Sequence, residues 1–176
     1  KLDRDGTYAT GVGKKTIKLP PGGTDAWLTP YHVDRCQQFV RERFGGKTLL
    51  NINSEVVASY IEMTRFPVPD DPKYKDTKSF AGLLRAADFI GQLGDPDYLR
   101  KIPALFYEFE EIGGNDKAGY KTPDDMRRGY ASFFWKEVSP YIQHATRYLQ
   151  ATQDGKQWLA NLHSQVFQVA HSDVLE

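Results

Sequence analysis

The sequence predicts an all-α fold, a single helical domain spanning residues 1–176 with about six helices in residues 29–176 and a short irregular or hairpin arm in residues 1–28. Three observations predict it. Apolar residues after the arm recur every three or four positions, the spacing of a helix with one buried face. Glycine and proline mark short loops between those segments. A hydrophobic fraction of 40% supplies enough apolar side chains for a packed core.

The arm differs from the rest of the chain in its turn-forming residues. It contains Pro20-Pro21 and several glycines. Residues 15–19 alternate between polar and apolar side chains, as a half-buried strand does, and residues 7–10 can pair with them across a turn at residues 11–13. The pattern predicts a small hairpin.

Helix boundaries follow from capping residues and from residues that end helices. Thr29 is the expected N-cap of the first helix and Pro30 its first residue, because proline tolerates a position whose N–H has no helical partner. Pro103 is expected to kink or split the fourth helix, and Pro140 to break the fifth. The predicted helices span residues 29–44, 54–65, 77–93, 95–112, 122–152 and 156–170.

Charge, hydropathy and cysteine content exclude several classes of protein. Lysine plus arginine and aspartate plus glutamate both number 23, which argues against a dedicated nucleic-acid binder. No run of 18 apolar residues is present, so no membrane span is expected. The single cysteine, Cys36, excludes an intrachain disulfide and favours the cytoplasm. The first residue is Lys1, which suggests a processed chain or part of a longer one.

Asp88 is the most informative polar residue of the third predicted helix. With Leu84, Ala87 and Gly91 it shares one helical face, and a carboxylate beside apolar side chains is costly unless it is paired. A salt bridge to a buried arginine such as Arg65 is favoured, and a metal ligand is the alternative. Gly91 leaves room beside Asp88 for another group.

His32 lies in the first turn of the first predicted helix, where free N–H groups favour an anion. A phosphate-binding histidine and a capping or surface histidine are equally compatible with this position. Cys36 lies one turn later and could form a nucleophile pair with His32, although a buried structural cysteine is favoured. His163 and His171 are eight residues apart and lack the spacing of a metal-binding pair.

Residues 83–90, Leu-Leu-Arg-Ala-Ala-Asp-Phe-Ile, resemble the last metal-binding stretch of the HD-domain metal-dependent phosphohydrolases. Residues 24–35, 62–69 and 104–111 resemble a largely cyanobacterial-type group of HD-domain phosphohydrolase-like proteins. The resemblance implies an all-α HD-domain-like fold. It also implies hydrolysis of a phosphoester, in a nucleotide or another small phosphorylated molecule, at a divalent metal ion such as Fe, Mn, Zn or Mg.

The resemblance also implies roles for individual residues. Asp88 would ligate the metal, His32 would bind phosphate or protonate the leaving group, and Arg85 and Gln92 would position Asp88 or the substrate. No histidine is followed by aspartate, so the dyad that names the family is missing. The chain would then be the portion downstream of the dyad or a non-catalytic relative.

Three functions therefore stay open from the sequence. The first is a metal-dependent phosphohydrolase acting on a small phosphorylated molecule. The alternative is a non-catalytic helical binding or regulatory module on an HD-like scaffold. The third is an interaction subunit that forms a homo-oligomer through the aromatic last helix, which carries Trp158 and Phe167.

Overall fold

A computed structural model describes residues 6–46 and 51–172. The chain divides by its internal contacts into an N-terminal unit, Lys1–Phe66, and a C-terminal unit, Pro67–Glu176. Both are mainly helical, and the described strands form one small sheet near the N-terminus. The predicted all-α class with a short N-terminal arm is confirmed.

The arm forms the hairpin that its pattern predicts. Strands β1 (Thr7–Ala9) and β2 (Thr16–Lys18) are antiparallel, with Tyr8 opposite Ile17. Gly11 in the turn has a φ of +82°, and a Cβ at this position would overlap the carbonyl group of Asp34. Glycine therefore permits both the turn and its close approach to the first helix.

Two α-helices follow in the N-terminal unit, α1 (His32–Phe44) and α2 (Ser54–Glu62). The predicted start at Thr29 is wrong, because a 3-10 helix (Asp25–Tyr31) precedes α1 and includes Pro30. The side chain of Thr24 accepts a hydrogen bond from the backbone N–H of Ala26 and caps that earlier turn. Helix α2 ends at Glu62, three residues before the predicted end.

The C-terminal unit contains the remaining helices. A 3-10 helix (Pro72–Lys75) precedes α3, and a π-helical turn (Phe134–Val138) joins α6 to α7. The α-helices are α3 (Phe80–Leu93), α4 (Tyr98–Glu111), α5 (Gly114–Ala118), α6 (Pro123–Phe133), α7 (Ser139–Leu149) and α8 (Gln153–Ala170).

Local hydrogen bonds explain the boundaries in this unit. The side chain of Ser79 accepts from the N–H of Gly82, so α3 begins at Phe80 rather than at residue 77. Pro103 lies within α4 and does not split it. The expected break in the fifth predicted helix is the π-helical turn, and Pro140 occupies the first turn of α7.

Helix α3 buries only part of the predicted face: Ile90 is buried and Leu83 packs against the core, whereas Leu84 and Ala87 are exposed. The helical spacing of Phe80, Leu83, Leu84, Ala87 and Ile90 predicts that these side chains point into the core. The buried residues of α3 are Gly82, Arg85, Ala86, Ile90 and Leu93, and Phe80 is 74% exposed. The core of the unit combines α3, α4, α6, α7, α8 and the π-helical turn; its largest fully buried apolar side chains are Phe134, Leu162 and Val138.

No helix in the described residues is long and apolar enough to cross a membrane.

Candidate functional site

An apolar cavity of about 390 Å³ lies among helices α3, α7 and α8 of the C-terminal unit. Its volume falls within the range of roughly 300–1,000 Å³ that ligand pockets usually have. We call it the α3–α7–α8 groove. It is lined by Leu83, Ala87, Ile90, Gly91, Ala145, Tyr148, Leu149 and Trp158.

Small residues create the empty volume. Ala87, Gly91 and Ala145 present little or no side chain to the groove. A Cβ built on Gly91 would meet no described atom within 4 Å apart from its own helix backbone, so open space begins directly beside α3. Glycine inside a helix is about 1 kcal/mol less favourable than alanine. The groove thus stays open at this position at a cost in helix stability.

Two exposed aromatic side chains form the outer part of the groove. Tyr148 is 60% exposed and Trp158 is 41% exposed. The hydroxyl of Tyr148 lies 3.4 Å from Nε2 of His144, one turn earlier on α7, and the two rings meet edge to face. The aromatic walls provide apolar area, and this hydroxyl–imidazole pair provides a polar group at the end of the Tyr148 ring.

The apolar surface continues along α3 beyond the groove. Phe80 and Leu84 are exposed, and they share a helical face with Ala87 and Gly91 because the four residues are spaced by four, three and four positions. We call these four residues the α3 seam. The seam and the groove overlap at Ala87 and Gly91, so one apolar surface includes both.

Arg85 lies on the opposite, buried side of α3 and is fully buried. Its guanidinium donates hydrogen bonds to the backbone carbonyls of Tyr74, at 2.6 Å, and Asp76, at 3.0 Å. It also lies 4.2 Å from the ring centroid of Tyr141 on α7. Burial lowers the pKa of Arg85, but the ordinary value is so high that the group stays charged. Arg85 therefore holds the segment before α3 and the helix α7 against α3, and its side chain does not reach solvent.

Asp88 and Gln92 are exposed on α3, and the side-chain amide of Gln92 donates to Oδ1 of Asp88 at 3.0 Å. Asp88 is solvated, so its carboxylate does not carry the desolvation cost of a buried charge. The reason for expecting a paired Asp88 therefore does not apply. Arg65, the arginine suggested as its partner, pairs with Asp34 and Glu62 within the N-terminal unit. Within residues 6–46 and 51–172, no three His, Cys, Asp or Glu side chains could together hold a metal ion.

His32 belongs to the N-terminal unit, and Asp88, Arg85 and Gln92 belong to the C-terminal unit. His32 is the first residue of α1, and its Nδ1 lies 2.6 Å from the backbone carbonyl of Thr29. This contact makes Nδ1 the protonated nitrogen of the neutral ring and leaves Nε2 for solvent. Cys36 is free and exposed rather than buried in the apolar face of α1.

The N-terminal unit has a smaller cavity of about 280 Å³. Its basic residue, Arg35, donates a hydrogen bond to the carbonyl of Ala9 and lies 5.8 Å from the ring centroid of Tyr8. The guanidinium is thus already used to hold the hairpin on α1. The cavity is lined by Tyr8, Leu19, Gly23, Thr24, Asp25, Leu28 and Arg35.

Sequence reasoning missed the groove, although one signal was present. The sequence pattern assigns Phe80, Leu84 and Ala87 to the core, and the signal is Gly91, which leaves room for another group beside the helix. The groove residues of α7 and α8 lie more than fifty positions further along the chain, so no local pattern connects them with α3.

A family model matches residues 1–172 of the chain, which is nearly its whole length. The chain belongs to the Npun_R2479-like family. The suggested membership in the HD-domain phosphohydrolases is wrong, because the family whose model matches the chain is this one. Neither the curated proteins nor the solved structures include a match to this Npun_R2479-like chain.

Proposed function

We propose that this chain is a non-catalytic helical binding module whose α3–α7–α8 groove holds an apolar group. The observation that carries the proposal is the open space beside Gly91, enclosed by apolar side chains and by the exposed rings of Tyr148 and Trp158. A soluble domain seldom exposes a large continuous apolar surface without a use for it.

The energetics support binding of an apolar group of moderate size. Covering about 200 Å² of apolar surface, counted over the groove and the ligand together, would contribute about 5 kcal/mol before the loss of ligand freedom is subtracted. Rings suit the site because Tyr148 and Trp158 offer aromatic faces and edges. The hydroxyl of Tyr148 can orient a ligand that carries one polar group.

Phosphoester hydrolysis, the other function expected from the sequence, has less support. It was derived from a resemblance that the family match has replaced. The residues expected to bind the metal and the substrate make different contacts. Arg85 donates to backbone carbonyls inside the unit, and Asp88 is solvated and accepts from Gln92. The free, exposed thiol of Cys36 supports a reducing compartment such as the cytoplasm as the place where the module works.

Binding of the dye 1-anilinonaphthalene-8-sulfonate tests the proposal, because the dye fluoresces when an apolar site excludes water. In a Trp27→Phe, Trp135→Phe background, Trp158 is the remaining tryptophan and reports dye bound beside it by energy transfer. We expect saturable binding near one dye per chain. The variant Gly91→Phe fills the groove and should weaken binding at least tenfold.

Ala160→Phe is the matched control, because it adds the same ring to an exposed position of α8 that does not line the groove. It should bind the dye like the parent. Equal dye binding in the two phenylalanine variants, with unchanged far-UV circular dichroism, would reject the groove as the binding site.

A further inference from the structure

We propose that the α3 seam pairs two copies of this chain, with α3 antiparallel to α3 of the other copy and each Phe80 entering the groove of the other copy beside Gly91. This inference rests on the proposed function, because it identifies the apolar group that the groove receives. The occupant is a second copy of the chain. Four features favour it: the order of large and small residues along the seam, the volume of the groove, the charges beside the seam and the exposed apolar area.

The order of large and small residues along the seam is self-complementary. Phe80 and Leu84 are large, Ala87 and Gly91 are small, and their four-three-four spacing is that of core positions in paired helices. A two-fold axis that passes between the two α3 helices, level with the Arg85–Ala86 bond, places Phe80 opposite Gly91 and Leu84 opposite Ala87 of the other copy. Every large side chain then meets a small one, as closely packed helices require.

The dimensions of the groove fit a phenyl ring. An engineered protein cavity of about 150 Å³ accepts benzene, and the groove has about 390 Å³. Phe80 is 74% exposed, so its ring gives up few contacts with its own chain when it enters the groove of another copy. The absence of a side chain at Gly91 lets the partner helix approach the α3 backbone closely.

The charges beside the seam are compatible with this pairing. Arg85 points into its own unit, where it is fully buried. Asp88 lies on one flank of the seam, and in the antiparallel arrangement the nearest residue on the same flank of the other copy is Ala81. The two Asp88 positions are about 7.5 Å apart along the helix axis, at a rise of about 1.5 Å per residue. No like charges therefore face each other directly.

The exposed area is sufficient for a weak dimer. Phe80, Leu84, Tyr148 and Trp158 are 74%, 38%, 60% and 41% exposed. Covering these fractions removes roughly 400 Å² of side-chain surface per copy, or roughly 800 Å² for the pair. Surrounding polar residues bring the total to about 1,000 Å², the smallest area expected of a biological interface and within the range of weak, transient pairs. We expect dissociation at a concentration on the order of 10 μM.

Sedimentation equilibrium of the whole chain from about 1 to 300 μM measures the pairing. The weight-average mass should rise from 20.0 kDa towards twice that value. Phe80→Ala and Gly91→Phe should each keep the chain monomeric across the range, because one removes the inserted ring and the other fills its site. Phe167→Ala is the control, since Phe167 is 62% exposed on α8, and it should dimerise like the parent.

Cysteine cross-linking tests the register in a Cys36→Ser background. Leu84→Cys and Ala87→Cys chains should cross-link when they are mixed and oxidised, because these positions face each other across the two-fold axis. Each variant alone should cross-link less, because the two copies of one position are about 4.5 Å apart along the helix axis. Stronger cross-linking within either variant alone would overturn the antiparallel register.

The same experiments separate the two proposals. A parent chain that stays monomeric at 300 μM, or a dimer that Phe167→Ala abolishes and Phe80→Ala does not, overturns the pairing through α3. If Phe80→Ala still binds the dye beside Trp158, the groove is a binding site for another apolar partner or small molecule. Loss of dye binding in a folded, monomeric Phe80→Ala chain would instead reject the proposed function.

Discussion

Arg65 donates two hydrogen bonds to the carboxylate of Asp34, at 2.9 and 3.2 Å, and joins the C-terminal end of α2 to the start of α1. It donates two more to Glu62, at 2.8 and 3.0 Å. The side chains of all three residues are only about a quarter exposed. Hydrogen bonds with Glu62 and Asp34 raise the pKa of Arg65 above its already high ordinary value. Arg65 therefore makes a charge-assisted contact of two hydrogen bonds with each carboxylate. Together these contacts are the main polar connection between α1 and α2.

Replacing Arg65 should therefore weaken the N-terminal unit. Arg65→Ala leaves two partly buried carboxylates close together without their cation, and we expect the free energy of unfolding to fall by about 2 kcal/mol. Urea unfolding followed by circular dichroism measures the change. Arg41→Ala is the control, because the Arg41–Glu55 ion pair is exposed and should contribute less than about 1 kcal/mol. Equal losses in both variants would contradict a special role for Arg65.

Tyr130 carries a buried hydroxyl that has no hydrogen-bond partner among the described protein atoms. Its ring is packed in the core, 5.1 Å from the ring centroid of Tyr98. Tyr130→Phe removes the polar atom and keeps the ring, so we expect a gain of up to about 1 kcal/mol in stability. Thermal unfolding measures it. The control Tyr107→Phe changes a 65% exposed ring and should have almost no effect, and a loss of stability in Tyr130→Phe would show that the hydroxyl has a partner.

Burial also predicts how the tyrosines of the C-terminal unit titrate. Burial raises the pKa of Tyr98 to about 12, and the neighbouring Tyr120 adds to the shift. The folded state thus favours the neutral phenol. Its contribution to stability is complete below the unfolded pKa of about 10 and is lost as the pH rises through about 12.

Absorbance at about 295 nm, which follows the phenolate form, measures this titration. We expect the Tyr98 phenol to ionise later than an unperturbed phenol, whose pKa is about 10. In Tyr98→Phe the late component should shrink, and the fall in stability between pH 10 and 12 should become shallower. An unchanged titration curve in that variant would contradict the assignment.

Local patterns were sufficient to predict the hairpin, the start of α2 and the all-α class. The alternating residues of the arm and the polar residues around Ser54 act within a few positions of each other. The buried face of α3 was not predictable in this way. Apolar residues cover most of its circumference, and the burial of Arg85 depends on the carbonyl of Tyr74 and the ring of Tyr141. Such partners are brought together only by tertiary packing.

Gly91→Ala should stabilise the C-terminal unit. A Cβ at this position would meet no described atom within 4 Å, and alanine lowers the conformational entropy of the unfolded chain. We expect a gain of about 0.5–1 kcal/mol in the free energy of unfolding, measured by urea denaturation of the monomeric Phe80→Ala chain with and without the change. In that background, dimer formation cannot mask the effect.

Gly94→Ala is the matched control three residues later. A Cβ there would lie 2.8 Å from the carbonyl oxygen of Ile90 and 2.9 Å from the Trp158 ring, so the same substitution should destabilise the unit. A higher free energy of unfolding in Gly91→Ala and a lower one in Gly94→Ala would show that Gly91 faces open space and Gly94 faces packed α8. If Gly91→Ala instead lowers stability as Gly94→Ala does, the groove is filled by the chain itself, and neither an apolar ligand nor a second copy could enter it.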